Sequence, residues 1–118
     1  MSAKSTIGWT DATWPIVRGC SKISPGCDNC WAIRDAHLHA GAPNAKAAAH
    51  FAGLTALDDA GRPDWSGDVR LDQSLLLWPL HWSKPKTIFA ASSGDLFHER
   101  LPDEEIDKVF AVMALGHW

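Results

Sequence analysis

Three cysteines constrain this chain more than any other feature. Cys20, Cys27 and Cys30 are its only cysteines, and all lie in the run GCSKISPGCDNCW, spaced C-x6-C-x2-C. A Cys-x-x-Cys pair puts two thiolates within reach of one metal centre. A third thiolate, brought back by the Pro25-Gly26 turn, completes a three-point cradle that leaves one position open for chemistry. The spacing by itself leaves two metal readings standing. One is an open iron–sulfur site, the leading reading. The other is structural zinc of the Cys3His type, with His37 or His39 as fourth ligand on a helix that starts at Cys30. A disulfide framework fits poorly, because the count is odd and the start, MSAKSTIGW, lacks a secretory apolar region. That points to a reducing, cytoplasmic compartment.

The chain has 118 residues, which suggests a single domain. Its net charge of −3 and the lack of a basic block imply no duplex nucleic acid partner. No apolar run approaches the roughly 18 residues of a membrane span. A hydrophobic content of 46% supports a packed core rather than disorder. Seven tryptophans and no tyrosine are unusual, and most of these rings are expected in the core or on ledges. Trp31, directly after Cys30, has the strongest positional claim to line a site.

The pattern predicts α/β organisation. Ile16 and Val17 form a short strand leading into Gly19. A helix over 30–40, capped by Asp28 or Asn29, sets Ile33, His37 and Ala40 on the face of Cys30, with Arg34 and Asp35 as an exposed pair. An alanine-rich second helix follows Pro43, 58–68 is a loop by composition, and 69–71 is a brief strand. SLLLWPLHW, broken by Pro79, reads as a short helix or packed loop. The strand near 86–91 is the best in the chain and should run parallel to the strand before Cys20. The terminal helix, 103–115, opens with Pro102 and the acidic Asp103, Glu104 and Glu105, and Gly116 ends it. Its apolar face is expected to be Ile106, Val109, Phe110 and Met113, packed on the 86–91 strand. Functional residues of parallel α/β folds sit where strands hand over to helices. The cysteine loop and the run SSGDLFHE both occupy such positions and could meet on one face. Asp95 is the candidate there, against a plain turn-supporting role, and His98 is set against a surface role.

The blocks IGWTDATW, GCSKISPGCDNCWA, RLDQSLLLW, KPKTIFAASSGDLFHE and LPDEEIDKVFAVMAL resemble a phage-associated family named after phage gene products thirty-seven and sixty-eight. The resemblance covers nearly the whole chain outside 41–65. Members look like relatives of radical S-adenosylmethionine enzymes. The resemblance implies a 4Fe–4S cluster ligated by Cys20, Cys27 and Cys30, with S-adenosylmethionine on the open iron and a 5′-deoxyadenosyl radical as the hydrogen-abstracting species. It implies cofactor-binding roles for Trp31, Ser92, Ser93 and Asp95, because in such barrels this strand end approaches the cofactor's amino group. The substrate is unknown and no catalytic residue is assigned. The common radical motif is C-x3-C-x2-C with an aromatic between its last two cysteines. Here the first gap is six and the aromatic follows the third cysteine.

The implied architecture is a partial parallel βα barrel with two or three strands. A complete barrel takes about 250 residues. Residues 1–118 therefore read as one amino-terminal portion, inactive alone, with the rest in a missing carboxy-terminal half or a partner protein. An uncovered sheet edge would make it prone to self-association.

Overall fold

The computed structural model describes residues 4–116. Two chain segments, 12–19 and 88–94, run side by side through its centre. The first comprises β1 (Ala12–Trp14) and β2 (Val17–Gly19). The second comprises β6 (Ile88–Ala90) and β7 (Ser93–Gly94). β1 pairs with β6 in parallel, Trp14 opposite Ala90, and β2 pairs with β7 in parallel, Arg18 opposite Ser93. Between the two pairings both segments break, Ile16 N–H donating to the Trp14 carbonyl at 2.8 Å and Gly94 N–H to the Ala91 carbonyl at 3.3 Å, so the pairings belong to separate sheets. Ala91 takes a positive φ of 53° there, in the left-handed region a side chain rarely adopts. β5 (Arg70–Leu71) adds an antiparallel strand on the other side of β2. The parallel relationship expected for the central strands is therefore present, in short pieces. The fold is mixed α/β with small sheets and flanking helices.

Three helices flank these sheets: α1 (Trp31–Ala40), α2 (Ala45–Phe51) and α3 (Asp103–Leu115). Their positions match the sequence expectations, but the α1 cap differs. Cys30 itself is the N-cap of α1 and makes no side-chain cap bond, so neither Asp28 nor Asn29 serves. Asn44 caps α2, accepting the N–H of Lys46 at 2.9 Å. SLLLWPLHW becomes two 3-10 helices, Gln73–Leu75 and Trp78–His81.

The stretch read as a loop at 58–68 is in part a strand. β3 (Thr55–Leu57) and β4 (Pro63–Trp65) form an antiparallel hairpin. The turn-forming residues DDAGR are its turn: the Asp58 carboxylate accepts the N–H of Ala60 at 2.9 Å and of Arg62 at 2.8 Å. Composition found the turn and missed the two strands it joins, because Pro63 and Asp64 are poor strand formers.

The core lies between the sheets and α3. Trp14, Ile16, Val17, Leu75, Leu96, Leu101, Val109 and Val112 are its buried members. Trp14 is 1% exposed and its indole N–H donates to the Leu75 carbonyl at 2.7 Å, so the ring is buried with its one polar atom satisfied. The α3 face is rotated from the expected one. Val109 and Val112 are buried and Ile106 is partly buried, whereas Phe110 is 47% exposed and Met113 37% exposed. The helix rests on the 3-10 turn Trp78–His81. Apolar residues cover a wide arc of α3, so periodicity alone left its rotation undetermined. Phe110 instead lies against Phe97, their centroids 5.9 Å apart.

Candidate metal and cofactor site

The cysteine loop begins where β2 ends. Gly19 has φ 100°, and a Cβ there would lie 2.2 Å from the Asp68 carbonyl oxygen, so only glycine fits. Beyond it the loop coils through the 3-10 helix Pro25–Cys27. Cys27 N–H donates to the Ser24 carbonyl at 3.0 Å and Cys30 N–H to the Cys27 carbonyl at 3.2 Å. These tight turns set the last two cysteines just ahead of α1. Lys22 lies 3.7 Å from Asp28 and 3.9 Å from Asp64, tying the loop to the β3–β4 hairpin.

All three cysteines are free thiols and half-buried. Burial pushes the Cys20 thiol up, and the negative charges of Asp95, Cys27 and Cys30 add to it against a lowering backbone hydrogen bond at Ser21. Hydrogen bonds from the backbone at Ile23 and Ser24 hold the Cys27 thiol below its ordinary value. Among the described residues, no group of three or more His, Cys, Asp or Glu side chains stands in an arrangement that would hold a metal ion.

The second candidate loop meets the first. β7 lies so close to β2 that a Cβ at Gly94 would stand 2.6 Å from the Val17 carbonyl oxygen and 2.8 Å from that of Gly19. Asp95 N–H donates to the Gly19 carbonyl at 3.1 Å. The Asp95 carboxylate in turn accepts the Phe97 N–H at 3.0 Å, so the residue does support a turn. Ser93 is buried and Ser92 half-buried in the turn before it. The handover points of the two parallel segments therefore share one edge, with Cys20 and Asp95 within electrostatic reach.

His98 is not a surface residue: it is 7% exposed. Its Nδ1 accepts the Arg100 N–H at 3.1 Å, so in the neutral ring the proton sits on Nε2. That Nε2–H faces Ser21 Oγ at 2.8 Å and donates to it. The pair has the look of a nucleophile and its base, but the tautomer is wrong for proton abstraction from Ser21. It is a clamp between the cysteine loop and the 95–100 segment. Sequence reasoning missed Ser21, since nothing local marks a serine whose partner lies in a distant loop.

Trp31 is 56% exposed and faces elsewhere. With Cys30, Arg34, Leu38, Arg62 and Pro63 it lines an open cleft of about 550 Å³. Ser92, Ser93 and Asp95 are not part of that cleft. The four expected cofactor contacts thus fall on two surfaces, one beside Cys20 and one beside Cys30. The histidines offered as zinc ligands are engaged along α1: His37 Nδ1 lies 3.3 Å from Thr55 Oγ1, and His39 lies 3.4 Å from Asp35 and against the Phe51 ring.

Among the described residues, no helix is long and apolar enough to cross a membrane. Residues 4–118 match the family described as "Protein of unknown function (DUF5131)", and the chain belongs to that family. No curated protein and no solved structure matches the chain.

Proposed function

We propose that this member of the family holds a 4Fe–4S cluster through Cys20, Cys27 and Cys30 and binds S-adenosylmethionine beside it. The observation that carries the reading is the joining of the cysteine loop to the 93–95 segment at the ends of two parallel-paired strands. The donor chemistry fits the group: three free thiols on one loop, with no disulfide between them. The loop would have to draw its thiols together around the cluster, and its exposed 3-10 turn gives it that freedom. When bound, the cluster would supply one-electron chemistry to the cofactor.

The chain's own residues would do the positioning. Gly19 and Gly94 bring two backbones close enough for Cys20 and Asp95 to share an edge. The Asp95 carboxylate and the Ser92 and Ser93 hydroxyls offer acceptors for an ammonium group, and Trp31 offers an aromatic face beside Cys30. In this reading the paired segments are the first and a later strand of a partial parallel βα barrel. Further strands, in the same chain or a partner, would complete the enzyme.

The test is anaerobic reconstitution followed by metal analysis and absorption spectroscopy. About four irons per chain, with broad absorption from thiolate–iron charge transfer, are expected, and any single Cys→Ala change should remove most of the iron. Stoichiometric, colourless zinc without iron uptake would replace this reading with a zinc-bound interaction module.

A further inference from the structure

We propose that Arg70, Arg18 and Ser93 form a binding row for an oxyanion, a carboxylate or phosphate group of a ligand, with the end of α2 as its lid. The row is set by strand pairing. Arg18 on β2 pairs with Arg70 on β5 and with Ser93 on β7. Residues directly paired across strands present their side chains on the same face. Val17, next along β2, joins the hydrophobic core, so Arg18 belongs to the opposite face.

Two features of this face call for an anion. Like charges directly opposite on neighbouring strands repel, yet Arg18 and Arg70 stand together in a chain whose net charge is negative. Arg18 is also 4% exposed, and its Nε has no hydrogen-bond partner. A buried guanidinium N–H without an acceptor is costly and uncommon. Asp72 takes another edge of the guanidinium, accepting from Nη1 at 2.5 Å. Its remaining capacity is occupied, since it also accepts the N–H and hydroxyl of Ser74 at 3.0 and 2.5 Å and has His50 Nδ1 at 3.4 Å. The Nε edge, the one guanidinium groups use to grip oxyanions side-on, is left over.

The C-terminal end of α2 stands in for the anion. The Phe51 ring covers the Arg18 guanidinium at 5.3 Å, and the Ala52 carbonyl accepts from Arg70. A ring face and a helix-end carbonyl are both weaker partners for a guanidinium than an oxyanion is. α2 has no fully buried residue, and it is held through its packing on α1, the Phe51 ring against His39 and His50 beside Asp72, so only its C-terminal end would have to yield. An entering oxyanion would displace Phe51 and the Ala52 carbonyl and take the free N–H groups and the Ser93 hydroxyl. This site borders the proposed cofactor site at Ser93, but its two arginines do not need the cysteines to hold a metal.

The experiment follows the side-chain Nε–H resonances of Arg18 and Arg70 by NMR in the metal-free 118-residue chain. Inorganic phosphate and acetate are titrated separately, with chloride as the ionic-strength control. Saturable shifts of both resonances with either probe are expected, and the probe that saturates at lower concentration identifies the oxyanion type. Phe51→Ala should tighten binding by on the order of fivefold, by removing the competing ring. Arg18→Lys, which keeps a cation for Asp72, should weaken it by on the order of tenfold, because an ammonium lacks the side-on edge. Exposed Arg70→Gln serves as the variant least able to disturb folding and should also weaken binding. Linear shifts equal to those in chloride, or unchanged affinity in both arginine variants, would overturn the proposal. Iron uptake is measured separately, so failure here leaves the cluster reading intact.

Discussion

His98 Nε2 lies 2.8 Å from Ser21 Oγ, across the gap between the two loops that follow the central parallel strands. This contact is buried on the histidine side and ties the residue after Cys20 to the segment leading into α3. His98→Ala is expected to leave Ser21 and the Arg100 N–H without partners, at a cost of about 1–3 kcal/mol. The loosening should be local. Hydrogen exchange should rise first at residues 20–24 and 98–101, and uniform acceleration across the whole chain would contradict the clamp.

The thiols should differ in reactivity. Cys27 is held below the ordinary thiol pKa and Cys20 is raised above it, and the thiolate is the reacting form. In the metal-free chain at neutral pH, limited iodoacetamide should therefore modify Cys27 before Cys20. Peptide mapping by mass spectrometry reads the order, and the gap should narrow as the pH rises through the Cys20 value.

Glycine at 19 is a steric requirement. Gly19→Ala sets a Cβ 2.2 Å from the Asp68 carbonyl oxygen at a φ of 100°, and strain of this kind costs about 2 kcal/mol or more. Gly8→Ala, with nothing within 4 Å of the added carbon, is the control and should cost little. Chemical denaturation of the two variants side by side separates them.

The Arg18–Asp72 pair makes the fold sensitive to acid. Burial works to raise the Asp72 pKa, but hydrogen bonds from Ser74 and Arg18 outweigh it and hold the carboxyl below its usual range. A carboxylate depressed on folding contributes stability that is present above its unfolded pKa and lost as pH falls through the folded one. Stability should therefore decline as pH falls below about 3.8, the ordinary aspartate value. Asp72→Asn should remove that part of the acid limb while costing about 3 kcal/mol at neutral pH, because Arg18 is left buried without its counter-charge. Thermal unfolding of both proteins over the acid range gives the comparison.

Neighbouring positions on α3 should behave oppositely. Val109 is fully buried and Phe110 is 47% exposed. Val109→Ala should cost on the order of 2 kcal/mol from lost burial and the cavity left behind. Phe110→Ser should cost well under 1 kcal/mol, in the range of surface substitutions. Equal losses would mean that the helix is rotated toward the face expected from periodicity.

What the sequence made legible was local. Helix α1 follows from the apolar spacing after Cys30, α2 from the alanines after Pro43, and α3 from Pro102 and the acidic first turn. The strand at 88–90 was readable because its residues are apolar without interruption. The meeting of the two loops was also foreseeable, since both follow strands that had to be parallel. What stayed hidden depends on pairing between distant segments. The hairpin at 55–65 rests on cross-strand bonds that its proline and aspartate disguise. The burial of His98 depends on Ser21, and the exposure of Phe110 depends on which side of α3 meets Trp78–His81. The Arg18–Arg70–Ser93 row exists only once three strands are laid side by side.

The break between β1 and β2 makes the length of the 15–17 connection matter more than its side chains. Three residues, Pro15, Ile16 and Val17, join the two pairings on one segment, and Ala91 and Ser92 join them on the other. A deletion of one residue within 15–17 would pull Arg18 out of step with Ser93 or Trp14 out of step with Ala90. Shifting Arg18 would draw its charge away from Asp72, and the Cys20 loop would leave β2 one step out of phase with Asp95. Such a deletion should be more damaging than most substitutions within the same three residues.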